Sequence, residues 1–341
     1  MIVLAAVALH TAVHAAAADP VPGRFSQFEA GPENTLGTKS DADIWRELRH
    51  GSGGLPSSAR PEDAVLIHSD GWWWAELRTP AGGPVVRLAA AVFIAVLAAL
   101  AVFALLRGRI RIEGGRSGRR IPRHTLARRV VHWTMAGVFI LMAVTGLAIL
   151  FGRPFLIPLF GKTANSVIAT ASMQAHNLFG PIFIVLVLVM FVTFLRGNWP
   201  QWVDVKWLLK GGGFFGGRAP AGRYNLGEKL WFWTVVIAGL ALGATGSLLL
   251  FPDDLGPELA QRIAGVADQR HVTTWAELIH VGAAVVIIAY ALGHIYLGSW
   301  GTEGTLEGMI DGCVDENWAR SHHELWFEAT GGKGEGDGPC P

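Results

Sequence analysis

ELIHVGAAVVIIAYALGHIYLG (277–298) is an apolar run with two histidines, His280 and His294, 14 residues apart. About 20 mostly apolar residues cross a bilayer as a helix, so the run reads as a membrane span. At 100° per residue the two histidines fall about 40° short of four whole turns and share a face, and at 1.5 Å per residue they stand about 21 Å apart along the axis. An ionisable side chain inside a membrane marks function by default. Neutral imidazole is the commonest metal ligand. One helix therefore offers two ligand candidates on one face at two depths.

Working outward, four further runs have the same character, at about 86–106, 132–151, 176–195 and 230–251. The chain is 51% hydrophobic and only 16% charged, against about 25% charged in soluble domains. His132 opens the run at 132–151 and His176 opens the run at 176–195. Between the runs, Lys and Arg are unevenly shared. Segment 107–129 holds nine and segment 196–229 holds six, whereas 152–175 and 252–275 hold two each. The positive-inside rule puts the two rich segments in the cytoplasm. His132 and His294 then lie at the cytoplasmic level, and His176 and His280 at the periplasmic level. One such histidine alone reads best as a bond to a neighbouring helix. Four at two matched levels, two of them in phase, read as the axial ligands of two hemes, His132 with His294 inside and His176 with His280 outside.

Glycines stud the runs (Gly137, Gly146, Gly180, Gly239, Gly243, Gly246, Gly282 and Gly293). Small residues allow close helix approach, and they equally let a flat macrocycle lie against the backbone. Thr145-Gly146 and Thr245-Gly246 hold similar places in their spans, a hint of an internal repeat. The only cysteines are Cys313 and Cys340, with no Cys-x-x-Cys. That argues against iron–sulfur clusters and thiolate zinc within the chain and against covalently attached heme. A net charge of +1 leaves no global footprint for nucleic acid.

The expected organisation is all-α and integral to the membrane: a four-helix transmembrane diheme cytochrome b bundle plus one extra N-terminal transmembrane helix. Residues 1–18 read as a signal peptide with an Ala-x-Ala end, or alternatively as an uncleaved anchor. Residues 19–84 form a periplasmic segment, in which Trp72, Trp73 and Trp74 are an aromatic belt or a docking surface. The extra helix covers 85–107, a basic cytoplasmic linker 108–129, the diheme domain 130–300 and a cytoplasmic tail 301–341. That tail is expected to be disordered beyond 330. His124 in the basic linker and His322 and His323 in the tail carry no signal, and Trp199, Trp202, Lys206 and Trp207 read as an interfacial helix with anchoring tryptophans. The whole is expected in a bacterial inner membrane.

RRVVHWTMAGVFILMAVTG (128–146), QAHNLFGPIF (174–183), GRYNLGEKLWFW (222–233), ELIHVGAA (277–284), LGHIYLGSW (292–300) and GTLEGMIDGCVDENWARSHHELWF (304–327) occur in order. Together they resemble the gamma, or cytochrome b, subunit of respiratory formate dehydrogenase over about residues 120–328. Related cytochrome b subunits of hydrogenases and thiosulfate reductases share the four-helix plan, and a heme-free transporter or signalling protein is the alternative from another class. The resemblance implies two heme b groups, an iron–sulfur (beta) partner subunit and a molybdenum or tungsten catalytic (alpha) subunit. It implies a quinone substrate near the inner heme, with Asn225 and Gly227 at family positions near that quinone and Glu228 where the family has Gln. Asn225 with Glu228 equally reads as a helix capping box; the two roles are compatible.

Overall fold

The computed structural model describes residues 83–214, 219–262, 269–336, 338 and 340. The expected signal peptide and nearly all of the expected periplasmic segment lie outside them. Helix α1, Pro84–Arg107, starts with proline in its first turn and stops at Gly108, whose φ of 65° closes the helix with an N–H bond to the Ala104 carbonyl. This is the expected extra span. It lies along the last long helix, and the outward Leu97, Leu105 and Leu106 suit lipid.

Helix α2, Leu126–Phe151, is capped by Thr125, whose side chain accepts from the Arg128 N–H. It continues through a π-helical turn, Gly152–Leu156, into α3, Ile157–Phe194. The apolar run Leu126–Phe194 has 69 residues. Straight, it would reach about 104 Å, over three times the roughly 30 Å hydrocarbon layer, so it has to fold back. The turn and Gly161 (φ 81°) break it, and α2 and α3 then make the most extensive helix pair in the molecule.

A short helix α4, Trp202–Leu209, follows. Trp199 and Trp202 are exposed as expected, but Trp207 is buried against Ala219 and Ala221 rather than anchoring in the interface. The buried Asp204–Lys229 pair, 2.9 Å, holds α4 onto the next span. That span, α5, Leu226–Leu250, opens with the predicted capping box: Asn225 Oδ1 accepts from the Glu228 N–H and Glu228 Oε2 from the Asn225 N–H. Helix α6, Pro252–Arg262, leads to α7, Gln269–Tyr296, which carries the two in-phase histidines.

The close backbone contacts of the bundle run α2–α3, α3–α5 and α5–α7. Gly239 and Gly243 bring α5 against Val187 and Ile184 of α3 so tightly that a Cβ on either glycine would sit at 2.8 Å. A core of Met135, Phe183, Val187, Val235, Ala238 and Ile287 fills the middle. Helix α7 makes no comparable approach to α2 or α3, which leaves a slot on that side.

The arginine-rich segments all meet at one end of the bundle, here the basic end. Strand β1, Arg120–Pro122, pairs antiparallel with β2, Cys313–Asp315, in the register Ile121↔Val314. Helices α8, Glu307–Ile310, α9, Glu316–His322, and α10, Glu324–Ala329, complete a folded cap. Its core is Ile112, Ile121, Val314, Trp318, Ala319, Trp326 and Phe327. The expectation of disorder beyond 330 is corrected. Arg119 donates to the Gly332 carbonyl at 3.0 Å, the Glu335 N–H donates to the Pro122 carbonyl at 2.8 Å, Arg223 pairs with Glu335, and Cys340 is disulfide-bonded to Cys313. The glycines that suggested disorder let this strap lie flat: a Cβ on Gly336 would meet Pro122 at 2.6 Å.

Candidate functional site: two histidine pairs and a cavity

The four predicted histidines meet as two pairs. His176 of α3 and His280 of α7 have ring centres 6.2 Å apart. His132 of α2 and His294 of α7 also have ring centres 6.2 Å apart. Both pairs bridge the slot that separates α7 from α2 and α3.

The outer pair is held by a repeated device. Thr145 Oγ1 lies 2.9 Å from His176 Nδ1 and 2.8 Å from the Leu141 carbonyl. Thr245 Oγ1 lies 2.9 Å from His280 Nδ1 and 2.7 Å from the Ala241 carbonyl. A hydroxyl has one proton, and the carbonyl one turn back takes it. Each imidazole must therefore donate from Nδ1, which leaves Nε2 unprotonated with its lone pair free for a metal. The glycine after each threonine makes room: a Cβ on Gly146 or Gly246 would reach the histidine Cε1 at 3.3 Å. The two Thr-Gly steps seen in the sequence are thus the seats of two histidines.

The inner pair is arranged differently. His294 stacks on Trp231 at 5.0 Å and 22°, and Trp231 stacks on Tyr290. His132 Nδ1 is buried without a hydrogen-bond partner.

These residues fit heme b. A metal–imidazole bond is about 2.0 Å; two such bonds in line through one metal, with about 1.1 Å from each nitrogen to its ring centre, separate the centres by about 6.2 Å. Two imidazoles and no third ligand are what an iron needs when a porphyrin supplies its other four bonds, and no group of three or more His, Cys, Asp or Glu that could hold a metal occurs among the described residues. Gly137, Gly282 and Gly293 face open space, as a flat macrocycle beside the helices requires.

His294 also lines a cavity of about 1150 Å³ at the basic end, together with Asn225, Gly227, Glu228, Trp231 and Tyr290. The three predicted quinone residues are therefore grouped around one inner histidine. The Tyr290 hydroxyl donates to the Gly227 carbonyl at 3.0 Å. Glu228 keeps 34% of its side chain accessible and has Arg123 and His323 each at 3.8 Å. Arg123 is buried between Trp318, at 4.9 Å, and Trp326, at 4.8 Å.

Sequence reasoning missed His322 and His323, which line the same cavity. His323 Nε2 accepts from Arg123 at 3.1 Å and its Nδ1–H donates to the Gly222 carbonyl at 2.9 Å. Burial, reinforced by the Arg123 charge, holds the His323 pKa well below the usual histidine range, so the ring is neutral. A signal existed in the His-His doublet beside Trp318, but only the β1–β2 pairing brings it to the cavity.

Comparisons with known proteins give the family. The family described as prokaryotic cytochrome b561 matches residues 123–312. The nitrate-inducible formate dehydrogenase cytochrome b556(Fdn) subunit of Escherichia coli K12 is 32% identical over 156 residues, 45% of this chain and 67% of that subunit. A formate dehydrogenase cytochrome b556 subunit of Haemophilus influenzae is 29% identical over 136 residues, 38% of this chain and 52% of the relative. The E. coli K12 cytochrome b556(fdo) subunit is 32% identical over 106 residues, 31% of this chain and 45% of the relative. The expected kinship with formate dehydrogenase cytochrome b subunits is thus shown, and with it a mostly helical membrane fold and heme b. This chain belongs to the prokaryotic cytochrome b561 family.

Proposed function

We propose that the chain is the membrane cytochrome b subunit of a formate dehydrogenase complex. In this reading it passes electrons from an iron–sulfur subunit on the periplasmic side, itself fed by a molybdenum or tungsten subunit, to quinone near the cytoplasm. The observation that carries the reading is the pair of 6.2 Å histidine separations at two levels of one helix. His176 with His280 would hold the outer heme and His132 with His294 the inner. When bound, each heme supplies a reversible one-electron carrier.

The chain's own residues do the rest. Thr145 and Thr245 keep the outer rings oriented and their Nε2 atoms unprotonated. Gly227 lines the cavity in the first turn of α5, where backbone N–H groups have no partner within the helix and the dipole is positive, a setting suited to a quinone carbonyl. Glu228, accessible on that side and close to the buried Arg123, is placed to pass on the protons that quinone reduction consumes.

Orientation rests on charge: nine and six basic residues on one side against two and two on the other. Moving an electron inward across a membrane that is negative inside costs about 2.3 kcal/mol per 100 mV. The redox drop from formate would drive that movement, and proton uptake at the inner side would make it contribute to the proton-motive force. The Cys313–Cys340 disulfide lies at the same end as the basic segments. In a reducing cytoplasm the pair would be held as thiols, and the tail would keep its Arg119 and Glu335 contacts.

Asn225→Ala tests the quinone site. Asn225 lines the cavity and caps α5; losing the cap, worth about 1 kcal/mol, should slow quinone reduction roughly fivefold, while both hemes still reduce from the donor side. Normal quinone turnover of pre-reduced protein with impaired heme reduction would move the site elsewhere.

A further inference from the structure

His322 and His323 are adjacent at the end of α9 but differ in how they are used. Both nitrogens of His323 are engaged, with Gly222 and Arg123. Substituting it would break the contact between the cap and the bundle. His322 packs against Trp318 with ring centres 5.5 Å apart, and it lines the cavity with Asn225, Gly227, Glu228 and His294. Its Nε2 is buried and has no hydrogen-bond partner. Buried polar atoms are nearly always bonded, and one that is not, in a cavity wall, asks for a ligand.

We propose that His322 is a quinone ligand, its Nε2–H donating a hydrogen bond to one carbonyl oxygen of a quinone bound in this cavity. The inference rests on the quinone reading above and adds to it a residue from the C-terminal cap. Burial and the nearby Arg123 cation hold the His322 pKa at about 4. The ring is therefore neutral at physiological pH, one nitrogen carrying hydrogen and the other a lone pair. A neutral donor suits an uncharged carbonyl. It also adds no second cation beside Arg123, which already faces Glu228. The site would then be built from two distant pieces of chain, the start of α5 and the end of α9.

The test uses the purified membrane complex and measures the KM for a short-tailed naphthoquinone, with heme content and the rate of heme reduction from the donor side as controls. His322→Ala should raise KM about tenfold, the factor for one lost hydrogen bond, with both controls unchanged. His322→Gln, which keeps an N–H donor, should recover most of that loss. If Asn225→Ala raises KM and His322→Ala leaves it within about twofold, the site stands and the proposal fails. If both variants leave KM unchanged, the quinone reading itself falls. Should His322→Ala fail to assemble, His322→Gln is compared with His322→Met, which fills the space without a donor; equal KM values would overturn the proposal.

Discussion

The two ends of α7 carry the same kind of histidine pair in different settings. At the His280 end both rings are keyed by threonines that fix their tautomer. At the His294 end the ring stacks on Trp231, His132 Nδ1 has no partner, and a cavity of about 1150 Å³ opens beside them under a cap drawn from residues far apart in sequence. In the proposed reading the difference separates two tasks. A relay needs fixed ligands and exclusion of solvent, whereas a site that exchanges a substrate with proton uptake needs an entrance and polar walls.

Removing an outer ligand breaks the comparison most severely. His280→Ala should lower heme content to about half, because one axial pair is lost, and should reduce turnover from the physiological donor to background. The inner heme should still respond to a chemical reductant. An α-band spectrum showing that His280→Ala or His176→Ala removes the inner heme selectively would contradict the pairing.

The threonine device predicts a smaller effect confined to the outer level. Thr145→Val and Thr245→Val keep shape and remove the acceptor, leaving a buried Nδ1–H unpaired. Outer partners of ligating histidines are worth about 10–100-fold in metal affinity, so outer-heme retention during detergent washing should fall by that order. Equal loss from the inner level would erase the distinction drawn here.

A pH effect should appear in the cap at the basic end. Burial holds His323 well below the usual histidine pKa and His322 at about 4. The unfolded chain then binds more protons than the folded cap as pH falls through about 6.5, so stability is full above that value and is lost below it. Limited proteolysis should cut residues 301–340 progressively faster between about pH 6.5 and 5. Constant cutting rates over that range would show that the cap does not depend on these neutral rings.

The smallest effect concerns the disulfide. With the basic end in the cytoplasm, Cys340→Ser should leave heme content and turnover unchanged, and thiol labelling in intact cells should find Cys313 and Cys340 reduced. A pair found oxidised in freshly quenched cells would argue for the reverse orientation.

How much of this was legible in the sequence depends on how local each signal is. His280 and His294 needed only helical periodicity, and the pairing with His176 and His132 needed only the order of spans and the distribution of arginines. Thr145 and Thr245 were visible as a repeat, but a repeat does not say which side chain the hydroxyl meets, 31 and 35 residues away. The capping box at Asn225 was local and was read correctly. The cap was not legible. Gly-rich composition beyond 330 suggested disorder, yet those glycines are what let the strap lie against Pro122. Trp207 was read from its neighbours in sequence as an anchor, whereas Ala219 and Ala221 bury it.

The central claim is that α7 carries one ligand of each of two hemes. The most direct measurement is the heme-to-protein ratio of the purified wild-type chain, by pyridine hemochrome against amino-acid analysis, with a low-temperature spectrum of the oxidised form. The account predicts two heme b per chain, both low-spin with two histidine ligands. One heme per chain, or a high-spin signal from either, would contradict it.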